Sequence, residues 1–271
     1  MVNIRIPVVA GQFYPALAEN LRENIASLID NKVEKQDCIA CILPHAGYVY
    51  SGRVAGETIS QVKIKENIIL LGPNHTGNGA DFSIMTEGAW QTPLGKVEIN
   101  STLAQKILQS SKYLKADTLA HSQEHSLEVE LPFLQYFKTD FKIVPIAFMS
   151  SNVESLKEIG KEIADVIIKN GLKEKVLLIV SSDMTHYESQ KIAQKKDQEA
   201  IQAILELNED KLIEKVKEFN ISMCGIYPAI VMLSAVKALG AKKTKLVKYQ
   251  TSGDVTGDKD SVVGYAGLIF Y

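Results

Sequence analysis

Three histidines in this chain occupy the same kind of position. His45 lies in Pro44-His45-Ala46-Gly47-Tyr48 and His75 in Gly72-Pro73-Asn74-His75-Thr76-Gly77. His186 lies in Ser181-Ser182-Asp183-Met184-Thr185-His186-Tyr187. Each follows a short apolar run by a few residues. Neutral imidazole is the commonest metal ligand and exchanges protons near neutrality, so three that converge point to metal or proton-transfer chemistry. Cys224, in Ser222-Met223-Cys224-Gly225-Ile226-Tyr227-Pro228, opens a helical pattern. The positive end of a helix favours the thiolate, the form that binds a metal or attacks an electrophile. His45, His75 and Cys224, with Asp183 and His186 beside them, therefore read as one metal-centred or redox-type site.

Other candidate motifs weaken on inspection. His121-Ser122-Gln123-Glu124-His125 matches H-x-x-E-H, in which two histidines four apart on a helix bind zinc. Pro132 follows closely, and proline is tolerated only in a helix's first turn. A helix beginning near Glu128 accommodates it and leaves His121 and His125 outside, lining the same crevice as the other imidazoles. Cys38 and Cys41 form a C-x-x-C without the second pair a zinc knuckle needs, and read as core residues. Gly72 to Gly79 matches neither nucleotide-binding glycine pattern. Asp254, Asp258 and Asp260 lack calcium-loop spacing and read as a solvated turn.

Strands must deliver these residues. Apolar runs predict strands at Ile39–Leu43, Ile68–Leu71, Phe82–Met85, Lys142–Phe148, Val176–Val180, Leu246–Thr251 and Val262–Phe270. Continuous runs such as Val176-Leu177-Leu178-Ile179-Val180 suit strands buried on both faces. Helical patterns fall at 17–31, 101–110, 153–169, 191–206, 209–218 and 226–239. In 153–169, Leu156, Ile159, Ile163, Val166 and Ile167 line one face, with Asn152 as N-cap and Asn170-Gly171 as the stop. Alternating strands and helices predict an α/β fold, a mostly parallel or mixed sheet with helices on both sides, in a single domain over residues 1–271. The three histidines then sit at the carboxyl ends of strands, where open α/β sheets bind ligands.

Composition narrows the function classes. The 271 residues are 46% hydrophobic and 23% charged, with a formal net charge of −2. Lysines are scattered among the acidic residues and arginines are few, so nucleic-acid binding has no electrostatic footprint. No apolar run approaches the roughly 20 residues that cross a membrane. The N-terminus lacks signal-peptide features, and an odd number of cysteines argues against a disulfide framework. The expectation is a cytoplasmic protein with reduced thiols.

Assembled, these segments closely resemble the Memo family (mediator of cell motility) over nearly the whole chain. The resemblance is carried by Ala10-Gly11-Gln12-Phe13-Tyr14-Pro15, Pro44 to Tyr48 with Tyr50-Ser51-Gly52, and Gly72 to Gly77. It continues through Trp90-Gln91-Thr92-Pro93-Leu94-Gly95, His121 to Phe133, Ser182 to Tyr187, and Cys224-Gly225. That family is similar to the class III extradiol dioxygenases, non-haem iron(II) enzymes with a three-layer α/β/α core. The resemblance implies that His45 and His75 are metal ligands, that Cys224 replaces the carboxylate ligand, that His186 is the acid/base and that Asp183 is a neighbouring site residue; in a metal-dependent enzyme Asp183 would orient a neighbouring imidazole. A thiolate is softer than a carboxylate, so copper or zinc stand beside iron(II) as the implied transition metal. Phe13, Tyr48, Trp90, His121 and His125 are the candidate substrate-binding residues, for a small molecule or a peptide. The resemblance also implies an alternative, a non-enzymatic module recognising phosphorylated peptides. It further implies partnership with a radical S-adenosylmethionine protein and an AMMECR1-type protein in a modification system.

Overall fold

A computed structural model describes residues 3–271. In chain order the elements are β1 (Ile4–Arg5), α1 (Ala18–Leu28), β2 (Ala40–Leu43), α2 (Tyr48–Ser60), β3 (Asn67–Pro73), β4 (Phe82–Ile84), β5 (Ala89–Thr92) and β6 (Gly95–Glu98). They continue with α3 (Ser101–Ser110), β7 (Lys115–Ala116), α4 (Leu119–Ser122), α5 (Leu131–Phe137), β8 (Lys142–Phe148), α6 (Val153–Lys169), β9 (Val176–Ser181) and β10 (His186–Glu188). The chain closes through α7 (Gln190–Leu205), α8 (Glu209–Glu218), α9 (Ile226–Leu239), β11 (Thr244–Thr251), α10 (Gly253–Thr256) and β12 (Val262–Phe270).

The main sheet is mixed. Its centre is four parallel strands in the order β2-β9-β3-β8. Antiparallel β12 and then β11 extend one side, and β4 with β7 the other; β10 pairs with the start of β12. β2 and β9 are buried along their whole length, and β3 and β8 except at their first residues. This is the environment their unbroken apolar runs require. Register sets the depth of the site: Leu43 is level with Ser181, and Leu71 with Val180. The carboxyl ends of β2, β9 and β3 therefore finish together.

Helices cover both faces. On β12, Gly264 and Gly267 are three apart and so face opposite ways. A β-carbon on Gly264 would collide with Asp197 of α7, and one on Gly267 with Thr58 of α2. α9 crosses the central strands and carries α6 on its outer side. The result is an α/β/α arrangement with the core between the layers. No helix among the described residues is long and apolar enough to cross a membrane.

The expected strands and helices all form, with ends shifted by up to three residues. α6 begins as foreseen, the Asn152 side chain accepting from Ser155 N–H. Several elements went unread, among them α2 and the hairpin β5–β6. α2 carries Val49, Val54, Gly52 and Gly56, all poor helix formers. Packing overrides that preference, because side chains at Gly52 and Gly56 would strike Leu28 of α1. The hairpin β5–β6, joined by parallel β1 into a separate three-stranded sheet, is too short to show a period.

The Gly267 contact gives a test of layer spacing. Gly267→Ala should destabilise the protein by about 1–3 kcal/mol in urea titrations, as overpacked cores do. Thr58→Ala in the same chain should recover part of the loss. A Gly267→Ala midpoint equal to the wild type would show that α2 does not press on β12.

Candidate metal centre

His45 enters the site two residues beyond β2, and His75 two residues beyond β3. His125 comes from the irregular segment between α4 and α5. One ring nitrogen from each lies within 4.8 Å of the other two. The ring centroids are separated by 5.2 Å for His45–His75, 5.5 Å for His45–His125 and 4.9 Å for His75–His125. Neutral imidazoles can share so small a space around one cation, whereas charged ones would repel.

Each imidazole is held from behind. His45 Nδ1 lies 2.7 Å from Ser181 Oγ, at the end of β9. His45 backbone N–H donates to Asp183 Oδ1 at 2.9 Å. Asp183 thus fixes the main chain of His45, not an imidazole as expected of it in a metal-dependent enzyme. His75 Nδ1 is 2.9 Å from Glu124 Oε1, and the His75 backbone N–H also donates to Glu124. The same Glu124 oxygen lies 3.5 Å from His125 Nδ1. One buried carboxylate therefore backs two imidazoles, the arrangement that orients metal-binding histidines and raises their basicity. Phe13 meets the edge of His125 at 5.0 Å and forms an apolar wall.

The electrostatics suit ligation. Burial holds His45 well below the usual imidazole range, helped by the neighbouring His75 and His125. Burial also lowers His125, against the pull of Glu124. Both rings are neutral at pH 7 and keep a lone pair for a metal. Burial would by itself raise Glu124, but hydrogen bonds from His75 and from backbone amides hold it at about 2.

Cys224 precedes α9, and its Sγ lies 3.4 Å from His45 Nε2. Asp183 N–H donates to the sulfur at 3.2 Å. Gly225 packs on Ser182 so closely that a β-carbon would collide with it, which seats the cysteine against β9. The expectation of a lowered thiol pKa fails. Burial, then the nearby Asp183 carboxylate, push the Cys224 thiol up. A helix terminus contributes about 0.3–1 kcal/mol, whereas burial can shift a group by several pKa units, so desolvation wins. Without a metal Cys224 is a thiol.

His186 stands at the rim, where its Nδ1 is 2.9 Å from the Ser222 carbonyl. A carbonyl only accepts, so Nδ1 carries the hydrogen and Nε2 keeps its lone pair. Asp183, buried beside this loop, is raised to about 6 by desolvation. The remaining candidates are interior. Tyr48 is 2% exposed, donates to the Val129 carbonyl at 2.8 Å and packs on Phe133. Trp90 is fully buried, its face covered by the Arg5 guanidinium at 4.2 Å. His121 is fully buried against Ser83 Oγ at 2.9 Å and the edge of Trp90. These three are buried and support the site from within. Of the H-x-x-E-H pair, His125 alone joins the cluster. His121 lies in the short α4, which ends at Ser122, and α5 starts only at Leu131, so the two histidines share no helix.

A mixed sheet covered by helices, with three clustered imidazoles beside the carboxyl ends of its parallel strands, defines an α/β/α scaffold whose histidines could hold a metal ion. The model of the Memo-like protein family matches residues 5–269. A MEMO1 family protein of Aquifex aeolicus is 44% identical over 271 residues, covering 99% of this chain and all of that one. Another, of Methanopyrus kandleri, is 42% identical over 280 residues, covering 98% of each. The chain belongs to the Memo family. Among solved structures, an uncharacterized protein of Escherichia coli K12 superposes with a TM-score of 0.58 over 84% of this chain and 98% of that one. At 14% identity that likeness shows the fold alone.

Glu124 makes acid stability a readout. Its folded pKa lies below the ordinary 4.5, so its stabilisation is present above that value and is lost as pH falls toward about 2. The shift corresponds to an order of 3 kcal/mol, at about 1.4 kcal/mol per unit. Urea midpoints of the metal-free protein should therefore fall between about pH 5 and 2. Glu124→Gln should narrow that gap, and an equal gap in both proteins would assign the acid sensitivity elsewhere.

Proposed function

We propose that this protein binds one transition-metal ion, iron(II) in the first instance, and serves a metal-dependent redox role. The observation that carries the reading is the convergence of three imidazoles, two of them backed by one ionised buried carboxylate. His45, His75 and His125 would supply the nitrogen donors. Cys224, beside His45, would join as a thiolate by giving up its proton, so its contribution grows as pH rises. A bound ion would supply Lewis acidity and, if iron or copper, a one-electron couple; an imidazole set suits iron, copper and zinc alike. The similarity to extradiol dioxygenases supports iron(II).

The chain's own groups have separable tasks. Glu124 keeps His75 and His125 oriented. Phe13 excludes water from one side and offers an aromatic face to a small organic ligand. His186, with the Nε2 lone pair at the rim, takes a proton from a bound ligand and returns it to solvent. A phosphopeptide-binding role finds less support, because Arg suits bidentate phosphate recognition. Arg5 is buried in an ion pair with Glu128, and Arg53 pairs with Glu57 on α2.

Elemental analysis of anaerobically purified protein should find about one transition-metal ion per chain. The variant His45→Ala/His75→Ala/His125→Ala should carry none, and undiminished uptake would overturn the reading. Cys224→Ser should retain most of the metal if the imidazoles dominate. It should lose the metal if the thiolate is indispensable.

A further inference from the structure

The segment between α4 and α5 carries three fully buried glutamates, and they are compensated very unequally. Glu128 pairs with Arg5 at 2.6 Å and accepts from Tyr14 Oη and from the Val8 and Val9 amides. Glu124 has His75 and the Ser126 amide. Glu130 has one hydroxyl. Its Oε1 is 2.8 Å from Ser181 Oγ, its Oε2 has no partner, and no Lys, Arg or His among the described residues forms an ion pair with it. A buried carboxylate with so little around it would be costly as an anion.

Ser181 decides what Glu130 must be. Its Oγ lies 2.8 Å from the Ser126 carbonyl, 2.8 Å from Glu130 Oε1 and 2.7 Å from His45 Nδ1. A hydroxyl has one hydrogen to give and two lone pairs to receive. The carbonyl only accepts, so it takes the hydroxyl hydrogen. The other two contacts are satisfied only if both partners donate. That requires hydrogen on His45 Nδ1 and on Glu130.

We infer that Glu130 is a positioning residue of the site, a neutral carboxylic acid that donates to Ser181 and through it holds His45 with Nδ1 protonated and the Nε2 lone pair free. Burial pushes Glu130 well above the usual carboxylate range, against the opposing hydrogen bond with Ser181, and the neighbouring Asp183 adds to the rise. This agrees with the hydrogen count. The three imidazoles are thus backed by two different devices. An anion, Glu124, serves His75 and His125, while a neutral acid relayed through a serine serves His45. In the metal-free protein a second full anion behind the cluster would add charge with no cation to meet it. The relay supplies direction alone.

The consequence for metal affinity rests on the metal-centre reading, whereas the hydrogen-bond assignment does not. Infrared difference spectra of metal-free protein near neutral pH should show a protonated carboxylic acid C=O band that disappears in Glu130→Gln. Nitrogen-15 NMR of the histidines should place the His45 hydrogen on Nδ1 in the wild type. Glu130→Gln, whose amide can also donate to Ser181, should keep that tautomer. Titration with zinc(II) should show Ser181→Ala binding about 10- to 100-fold more weakly than wild type, with Glu130→Gln close to it. Absence of the acid band, a hydrogen on His45 Nε2, or unchanged zinc(II) affinity in Ser181→Ala would each overturn the inference. If the wild type itself binds no metal, the metal reading falls, and the band and tautomer still decide the role of Glu130.

Discussion

Burial of three glutamates within seven residues, Glu124 to Glu130, two of them ionised, is the constraint around which this molecule is arranged. Removing a carboxylate from water costs several kcal/mol unless its oxygens find partners. The segment cannot settle until other parts of the chain supply them. The N-terminal arm brings Arg5, two backbone amides and the Tyr14 hydroxyl to Glu128. The end of β3 brings His75 to Glu124, and the end of β9 brings Ser181 to Glu130. Each partner is a piece of the site or is joined to one. Phe13 reaches His125 because Glu128 anchors the arm on both sides of it. Electrostatic satisfaction and site geometry are one requirement.

This explains which parts were legible in the sequence. His45 and His75 could be read because strand ends deliver them, and strand ends follow from apolar runs bounded by Gly, Pro and Asn. The parallel centre of the sheet and the long helix α6 were legible for the same reason. His125 was placed near the crevice but not among the ligands, since its position depends on a loop whose shape is set by distant ion pairs. Ser181 fell just past the strand expected at Val176–Val180 and gave no sign of touching an imidazole. Glu130 lay in an apolar-rich stretch where a helix surface was the simpler expectation. α2 was invisible because its glycines and β-branched residues oppose a helix in isolation. Contact with α1 makes it one.

The residues that resemblance assigned to ligand contact divide in an instructive way. Phe13 stands against the imidazoles. Tyr48, Trp90 and His121 are interior, where Trp90 covers the Arg5 guanidinium and Tyr48 fixes the carbonyl of Val129. A motif can recur because it builds the wall of a site, without touching what the site holds. Cys224 shows a related point. Its helix-terminal position suggests a ready thiolate, yet the packing that brings it to His45 also removes the water that would stabilise the charge. The fold shared with a solved structure at 14% identity leaves such chemistry open. The individual donors decide it.

The distances along the chain between partners carry one more consequence. Arg5 and Glu128 are 123 residues apart, His45 and Ser181 are 136 apart, and His45 and Cys224 are 179 apart. Contacts of such span form only after the intervening chain has been ordered, at the full cost of closing those loops. During synthesis from the ribosome, the first two imidazoles emerge long before the serine that orients one of them and the cysteine beside it. A growing chain therefore offers a passing metal ion only loose, isolated histidines. The convergence of these groups is a property of the finished molecule, acquired when its last third folds back onto its first.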